Sequence, residues 1–84
     1  MKKSKKTAEY AVILVNDDKN SFEGVIKSLA LICNHNILQA EQCANIVHHS
    51  GECYVKEHLS YDEAEKISEL LIGQGLSAKI DVSE

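Results

Sequence analysis

Tyr10-Ala11-Val12-Ile13-Leu14-Val15 is an unbroken run of apolar and largely β-branched side chains, and it stops at Asn16-Asp17-Asp18. Six residues are too few for an ordinary helix, and a continuous rather than alternating run suits a strand covered on both faces. The run reads as a buried strand. A strand buried in this way needs neighbours on either side, so the remainder of the chain is read for what could flank and cover it.

Downstream, Asn20 followed three residues later by Glu23 forms a capping-box start. Phe22, Val25, Ile26, Leu29, Ile32 and Cys33 then recur at helical spacing on one face. A second start lies at Asn36 with Gln39; Ile37, Ala40, Ala44, Val47 and His48 continue its stripe until Gly51 offers a left-handed cap. Glu52 to Leu59 alternates weakly through Cys53 and Val55 and reads as a strand. Ser60 with Glu63 opens a third helix through Ala64, Ile67, Leu70 and Leu71, with Leu59 placed to staple onto Ala64. Gly73 and Gly75 end it. Leu76, Ala78, Ile80 and Val82 then alternate with Ser77, Lys79, Asp81 and Ser83, the pattern of a half-buried strand. The order β-α-α-β-α-β predicts an α+β two-layer sandwich, a three-stranded antiparallel sheet under three helices, with the first strand in the middle. Residues 10–84 form one domain in this reading, behind a flexible lysine-rich tail over residues 1–9.

Composition narrows the class. An 84-residue chain hides only roughly 60% of its unfolded surface, so it holds one thin core. At 44% apolar and 26% charged with no proline, it is too apolar for a disordered segment and too interrupted for a membrane span. Lys2 to Lys6 leads into Thr7, Ala8 and Glu9 rather than a signal peptide, so the expected location is cytoplasmic, with no membrane partner. The net charge of −4 conceals an asymmetry, because four of the nine lysines lie in the first six residues. Residues 7–84 carry five lysines against thirteen acids, a balance of −8. With no arginine there is no bidentate contact to phosphate or guanine, which argues against nucleic acid as a partner. Cys33, Cys43 and Cys53 are odd in number and lack a CxxC pair, so they are expected to pack as small apolar groups.

Two clusters could carry chemistry. Asn16-Asp17-Asp18 is a turn former, since Asn and Asp accept left-handed backbone and bond their own main chain; a turn alone leaves two adjacent acids at a strand end unexplained. Val47-His48-His49-Ser50-Gly51 ends the second helix. A histidine there is either a satisfied core group or a cation favoured by the helix carboxyl end. A metal or enzymatic reading would recruit His35, Cys43, His48, His49, Cys53 and His58. None has close ligand spacing, and adjacent histidines point about 100° apart on a helix. No metal or cofactor is expected.

Together, Tyr10-x-Val-Ile-Leu-Val-Asn-Asp-Asp18, then Glu23, Val25, Ile26 and Leu29, then Gln42, Val47-His48 and Gly51, then Lys66 resemble the ClpS family of Clp protease adaptors. The likeness runs without a gap from Tyr10 to about Ile67. The resemblance implies the same element order and no enzymatic activity. It implies a monomeric adaptor that captures proteins beginning with a bulky hydrophobic residue and hands them to a Clp AAA+ unfoldase through the unfoldase's amino-terminal domain. On this likeness Asn16, Asp18 and His48 would hold the substrate's α-amino group, Asp18 through a water where needed, and Asp17 and Asn20 would bond its first peptide units. Its first side chain would enter a pocket lined by Phe22, Val25, Ala44 and Val47, with Ala78 from the last strand. From the residues alone, the helical spacing of Phe22, Val25, Ala44 and Val47 reads as plain core.

The sequence departs from the family pattern at several of these positions. Phe22 and Ala44 stand where the family usually has methionines, the second being its gatekeeper against β-branched residues. Asn20 replaces a threonine and Ser21 a proline. For the unfoldase contact Lys66 matches a family lysine, whereas Lys19 and Tyr61 occupy typically aromatic and acidic positions. A second resemblance, of Ser60-x-x-Glu-Ala-Glu-Lys-Ile and the Gly-x-Gly-Leu-x-Ala-Lys-Ile that follows, is to the carboxy-terminal domain of the bacterial ribosomal stalk protein, a protein-interaction domain. That domain has no Asn-Asp-Asp and no Val-His.

Overall fold

The computed structural model describes residues 8–83. Its elements are β1 (Glu9–Val15), α1 (Phe22–Ile32), α2 (Ile37–Ser50), β2 (Glu52–Leu59), α3 (Tyr61–Gly73) and β3 (Ser77–Ser83). Residues 1–7 of the expected tail lie outside the described residues, and the first strand begins at Glu9, within the tail's expected bounds.

The apolar run explains the topology. Sheet order is β2-β1-β3 with both pairings antiparallel, so β1 is the middle strand, as its continuous apolar character predicts. Val12 and Leu14 face the helices and join Leu29, Cys33, Ala40, Cys43, Val47, Ala64 and Leu71 in a single core. Ile13, on the other face of the strand, is buried between its register partners Tyr54 and Lys79. Lys79 reaches over the strand to Glu52 at 3.1 Å. Cross-strand neighbours thus cover the face that has no helix. Register with β3 is regular, whereas β2 carries two irregularities opposite Tyr10 to Ile13. His58, beside the first, takes a left-handed φ of 60° and holds Glu9 through its Nδ1 at 2.6 Å.

Caps decide where the helices begin. Asn36 accepts from the Gln39 N–H at 2.7 Å, and Ser60 and Glu63 form a reciprocal capping box. At α1 the cap is Ser21, whose hydroxyl accepts from the Gly24 N–H at 3.0 Å, one residue beyond the Asn20 that the sequence suggests. Asn20 is drawn elsewhere, into the loop that follows β1. Val82, expected on the inner face of β3, is about half exposed.

Candidate functional site

Three consequences of the sequence meet at one end of the sheet. The buried strand β1 delivers Asn16-Asp17-Asp18 to its carboxyl end, the Ser21 cap starts α1 immediately beyond, and the Gly51 cap stops α2 alongside. A groove of about 470 Å³ opens there, lined by Asn16, Asp17, Asp18 and Asn20, by Phe22 and Val25 of α1, and by Ala44, Asn45, Val47 and His48 of α2.

Its polar rim divides into residues bonded within the protein and residues left open. Asp17 Oδ1 accepts from the backbone N–H groups of Lys19 at 2.8 Å and Asn20 at 3.0 Å. The Asn20 amide nitrogen donates to both Asp17 oxygens, at 3.2 and 3.1 Å, and to the Gly75 carbonyl at 2.7 Å. These bonds tie the loop to the α3–β3 connection and engage the Asn20 donors, leaving its Oδ1 as an acceptor. Burial acts to raise the Asp17 pKa, but the Lys19 and Asn20 N–H groups, the Asn20 amide and the Ser77 hydroxyl favour the anion more, so the carboxyl stays below its usual range. By contrast, among the described residues no hydrogen bond engages the Asn16 amide, the Asp18 carboxylate or the His48 ring. His48 is exposed and meets His49 edge-on at 5.3 Å.

The apolar wall is graded. Ala44 and Val47 are 3% and 4% exposed and form its floor, while Phe22, at 43%, stands open at the first turn of α1. Phe22 has not collapsed onto the space beside the small Ala44. The groove holds four acceptor-rich side chains and two carboxylates with no lysine in its lining, an arrangement suited to a cationic group attached to an apolar one.

Of the residues singled out from the sequence, Asn16, Asp17, Asp18, Asn20, His48, Phe22, Val25, Ala44 and Val47 all line this groove. Ala78 does not. It pairs with Leu14 in the sheet and packs against the core; from the same region Leu76, with Val25 and Val47, lines a hollow of about 20 Å³ adjoining the groove. Asn45 is a lining residue that sequence reasoning missed, since an exposed polar position on a helix carries no periodic signal.

The three residues expected to touch a partner are dispersed. Lys19 is exposed in the loop, Tyr61 stacks edge-on against Tyr10 at 5.2 Å, and Lys66 lines a shallow cleft of about 380 Å³ with Lys56, Leu59, Glu63 and Ile67. Of the histidines and cysteines weighed for metal binding, as of the acids, no group of three or more among the described residues is placed to hold a metal ion. No helix among them is long and apolar enough to cross a membrane.

Comparison with known proteins follows the same outline. The family model for the ATP-dependent Clp protease adaptor protein ClpS matches residues 5–79. Among solved structures, that of Agrobacterium tumefaciens ClpS2 bound to L-phenylalaninamide is similar, with a TM-score of 0.82 over 90% of this chain and 98% of that one. At 22% identity that likeness speaks for the fold. No curated protein matches.

Proposed function

The chain belongs to the ClpS family of adaptor proteins for ATP-dependent Clp proteases, and from that premise we propose that its groove binds the free amino terminus of proteins beginning with a bulky hydrophobic residue, for delivery to a Clp unfoldase. The observation that carries this reading is the meeting, in one groove, of unengaged acceptors and an apolar floor. The structure of Agrobacterium tumefaciens ClpS2 with L-phenylalaninamide, which offers an amino group and an apolar side chain together, supports it as a likeness.

The chemistry is simple. A protonated α-amino group has three donors, and the Asn16 amide oxygen, the Asp18 carboxylate and a ring nitrogen of neutral His48 supply three acceptors. Asn20 Oδ1 accepts the first peptide N–H, while Asp17 keeps the loop in shape and offers a spare lone pair on Oδ2. The first side chain lies on Ala44 and Val47 with Phe22 and Val25 beside it. A rim with two carboxylates, on a folded part carrying an acidic excess, attracts an ammonium and repels a carboxylate. In this reading Lys19, Tyr61 and Lys66 contact the amino-terminal domain of the unfoldase, and the protein acts as a cytoplasmic monomer. The likeness to the ribosomal stalk domain concerns α3 and β3 and leaves the groove without a purpose.

The deciding experiment is fluorescence anisotropy with peptides that start with free Leu or Phe, each compared with its acetylated copy. Binding of the free forms alone supports the reading. Equal affinity for both overturns it. Delivery is tested separately, by adding the amino-terminal domain of a Clp unfoldase to wild type and to Lys66→Glu: loss of complex in the variant is the expected result.

A further inference from the structure

A second cleft, of about 180 Å³, opens between α2 and β2, apart from the groove, with His35, Gln39, Gln42, Cys43, Cys53 and Tyr54 in its lining. Cys43 and Cys53 are 4% and 9% exposed, and their Sγ atoms lie 2.6 Å apart. That separation is only about half an ångström longer than a bonded pair of sulfurs at about 2.05 Å. Both are free thiols. Packing as small apolar groups accounts for Cys33, but it requires neither this approach nor a cleft that reaches the two sulfurs.

We propose that Cys43 and Cys53 are a redox pair that closes to a reversible intramolecular disulfide when a small peroxide enters this cleft. The two thiols are chemically unequal. Cys43 donates a hydrogen bond to Cys53, and that bond together with burial raises the Cys43 pKa. Accepting the bond lowers the pKa of Cys53 against the opposing effect of burial, and Cys53 is also the more exposed of the two, so its sulfur is taken as the nucleophile. Burial pushes the thiol of Cys33 up to about 11, so it remains protonated and unreactive.

The reaction balances. Cys53 gives up its proton, its thiolate attacks one peroxide oxygen, the O–O bond breaks, and the departing hydroxide takes up that proton, leaving a sulfenic acid and water. The Cys43 sulfur then attacks the sulfenic sulfur, the S–O bond breaks, and the hydroxyl leaves as a second water with the Cys43 proton. Two thiols lose two electrons and the peroxide gains them. A dithiol reductant reverses the change.

The bond joins α2 to β2 and encloses Ala44, Asn45, Val47 and His48, the part of the groove contributed by α2. Because the sulfurs need to move so little, the oxidised protein keeps its groove and gains rigidity around it. The inference stands whatever the groove binds.

The test uses the full chain, reduced and then exposed to equimolar hydrogen peroxide, alkylated in denaturant and analysed by mass spectrometry. The expected product has lost two hydrogen atoms, carries one alkyl group, on Cys33, and yields a cross-linked peptide joining Cys43 to Cys53. Dithiothreitol restores three alkylated cysteines, and Cys33→Ser leaves the cross-link intact. In Cys43→Ser, Cys53 accumulates a dimedone-trappable sulfenic acid instead. Three alkylated cysteines after peroxide treatment, oxygen adducts without a cross-link in wild type, or a cross-link to Cys33 each overturn the proposal. The wild-type result decides by itself if the variant does not fold. Amide exchange adds an independent readout: stronger protection of residues 44–52 after oxidation supports the pair, and unchanged protection in a fully cross-linked sample counts against the rigidity.

Discussion

The backbone N–H of Asn16 donates to the carbonyl of Gly51 at 2.8 Å, joining the carboxyl end of β1 to the carboxyl end of α2. These residues are far apart in sequence, yet this bond brings the amide of Asn16 and the ring of His48 to one rim. The geometry depends on Gly51, whose φ of 99° lets α2 stop there and turns its carbonyl towards the strand.

Gly51→Ala therefore probes backbone conformation alone. A Cβ at this position meets nothing within 4 Å, so there is no clash to confuse the result. Forcing an alanine into left-handed backbone costs about 1–2 kcal/mol. Urea unfolding is expected to show a loss of that size, with Gly51→Asn recovering part of it because asparagine tolerates the conformation.

Asp17 gives the loop a pH dependence at the acid end. Its folded pKa lies below the ordinary 3.8 despite the opposing effect of burial, because the Lys19 and Asn20 donors hold the anion. Its stabilising contribution is therefore fully present above the unfolded value of about 3.9 and is lost as pH falls through the lower folded value. The difference in urea midpoint between wild type and Asp17→Asn is expected to stay constant from neutral pH down to about pH 4. Below that it should shrink. A difference already changing near neutrality would contradict the assignment.

Removing a single acceptor tests the proposed amino-group site. Asn16→Ala and His48→Ala are each expected to weaken binding of a Leu-initiated peptide by about 1–3 kcal/mol, the usual loss for a hydrogen bond to a charged group. Folding stability should change little, since neither side chain is bonded within the described residues. Calorimetric titration beside thermal melts separates the two effects.

Selectivity should follow Ala44. With a small side chain on the floor and Phe22 standing open at the rim, the groove has room that the proposed binding mode places beside the β-carbon of a substrate's first residue. Peptides starting with Ile or Val are expected to bind, and Ala44→Met to disfavour them by about 1–3 kcal/mol, the range for a methylene-scale misfit, while Leu binding stays nearly intact. Equal weakening of Leu-, Phe- and Ile-initiated peptides would mean that the methionine simply overpacks the wall.

What the sequence made legible was the set of features with a local cause. An uninterrupted apolar run marks β1 as the middle strand, Asn36 and Ser60 announce helix starts, and Gly51 announces a stop, because each acts within a few residues of itself. Asn20 misled because Ser21 beside it is an equally good cap, and the choice was made by Asp17 and Gly75, the latter distant in the chain. Ala78 lies at the groove's end of the sheet, paired with Leu14, but packs against the core and does not line the groove, a distinction that alternation along β3 does not make. The approach of Cys43 to Cys53 had no signal in spacing, since it depends on how α2 lies across β2.

The irregular pairing of β2 has a bearing on how the molecule behaves in a crowd of its own copies. The outer margins of a sheet carry unpaired N–H and C=O groups that invite another chain to add on, and bulges twist such a margin out of reach. The left-handed His58 and the two register shifts do this for β2. On β3, regular from Ser77 to Ser83, that protection falls to the charges of Lys79 and Asp81. Neutralising both would leave a straight, unguarded strand, and self-association on heating, followed by light scattering, would begin there.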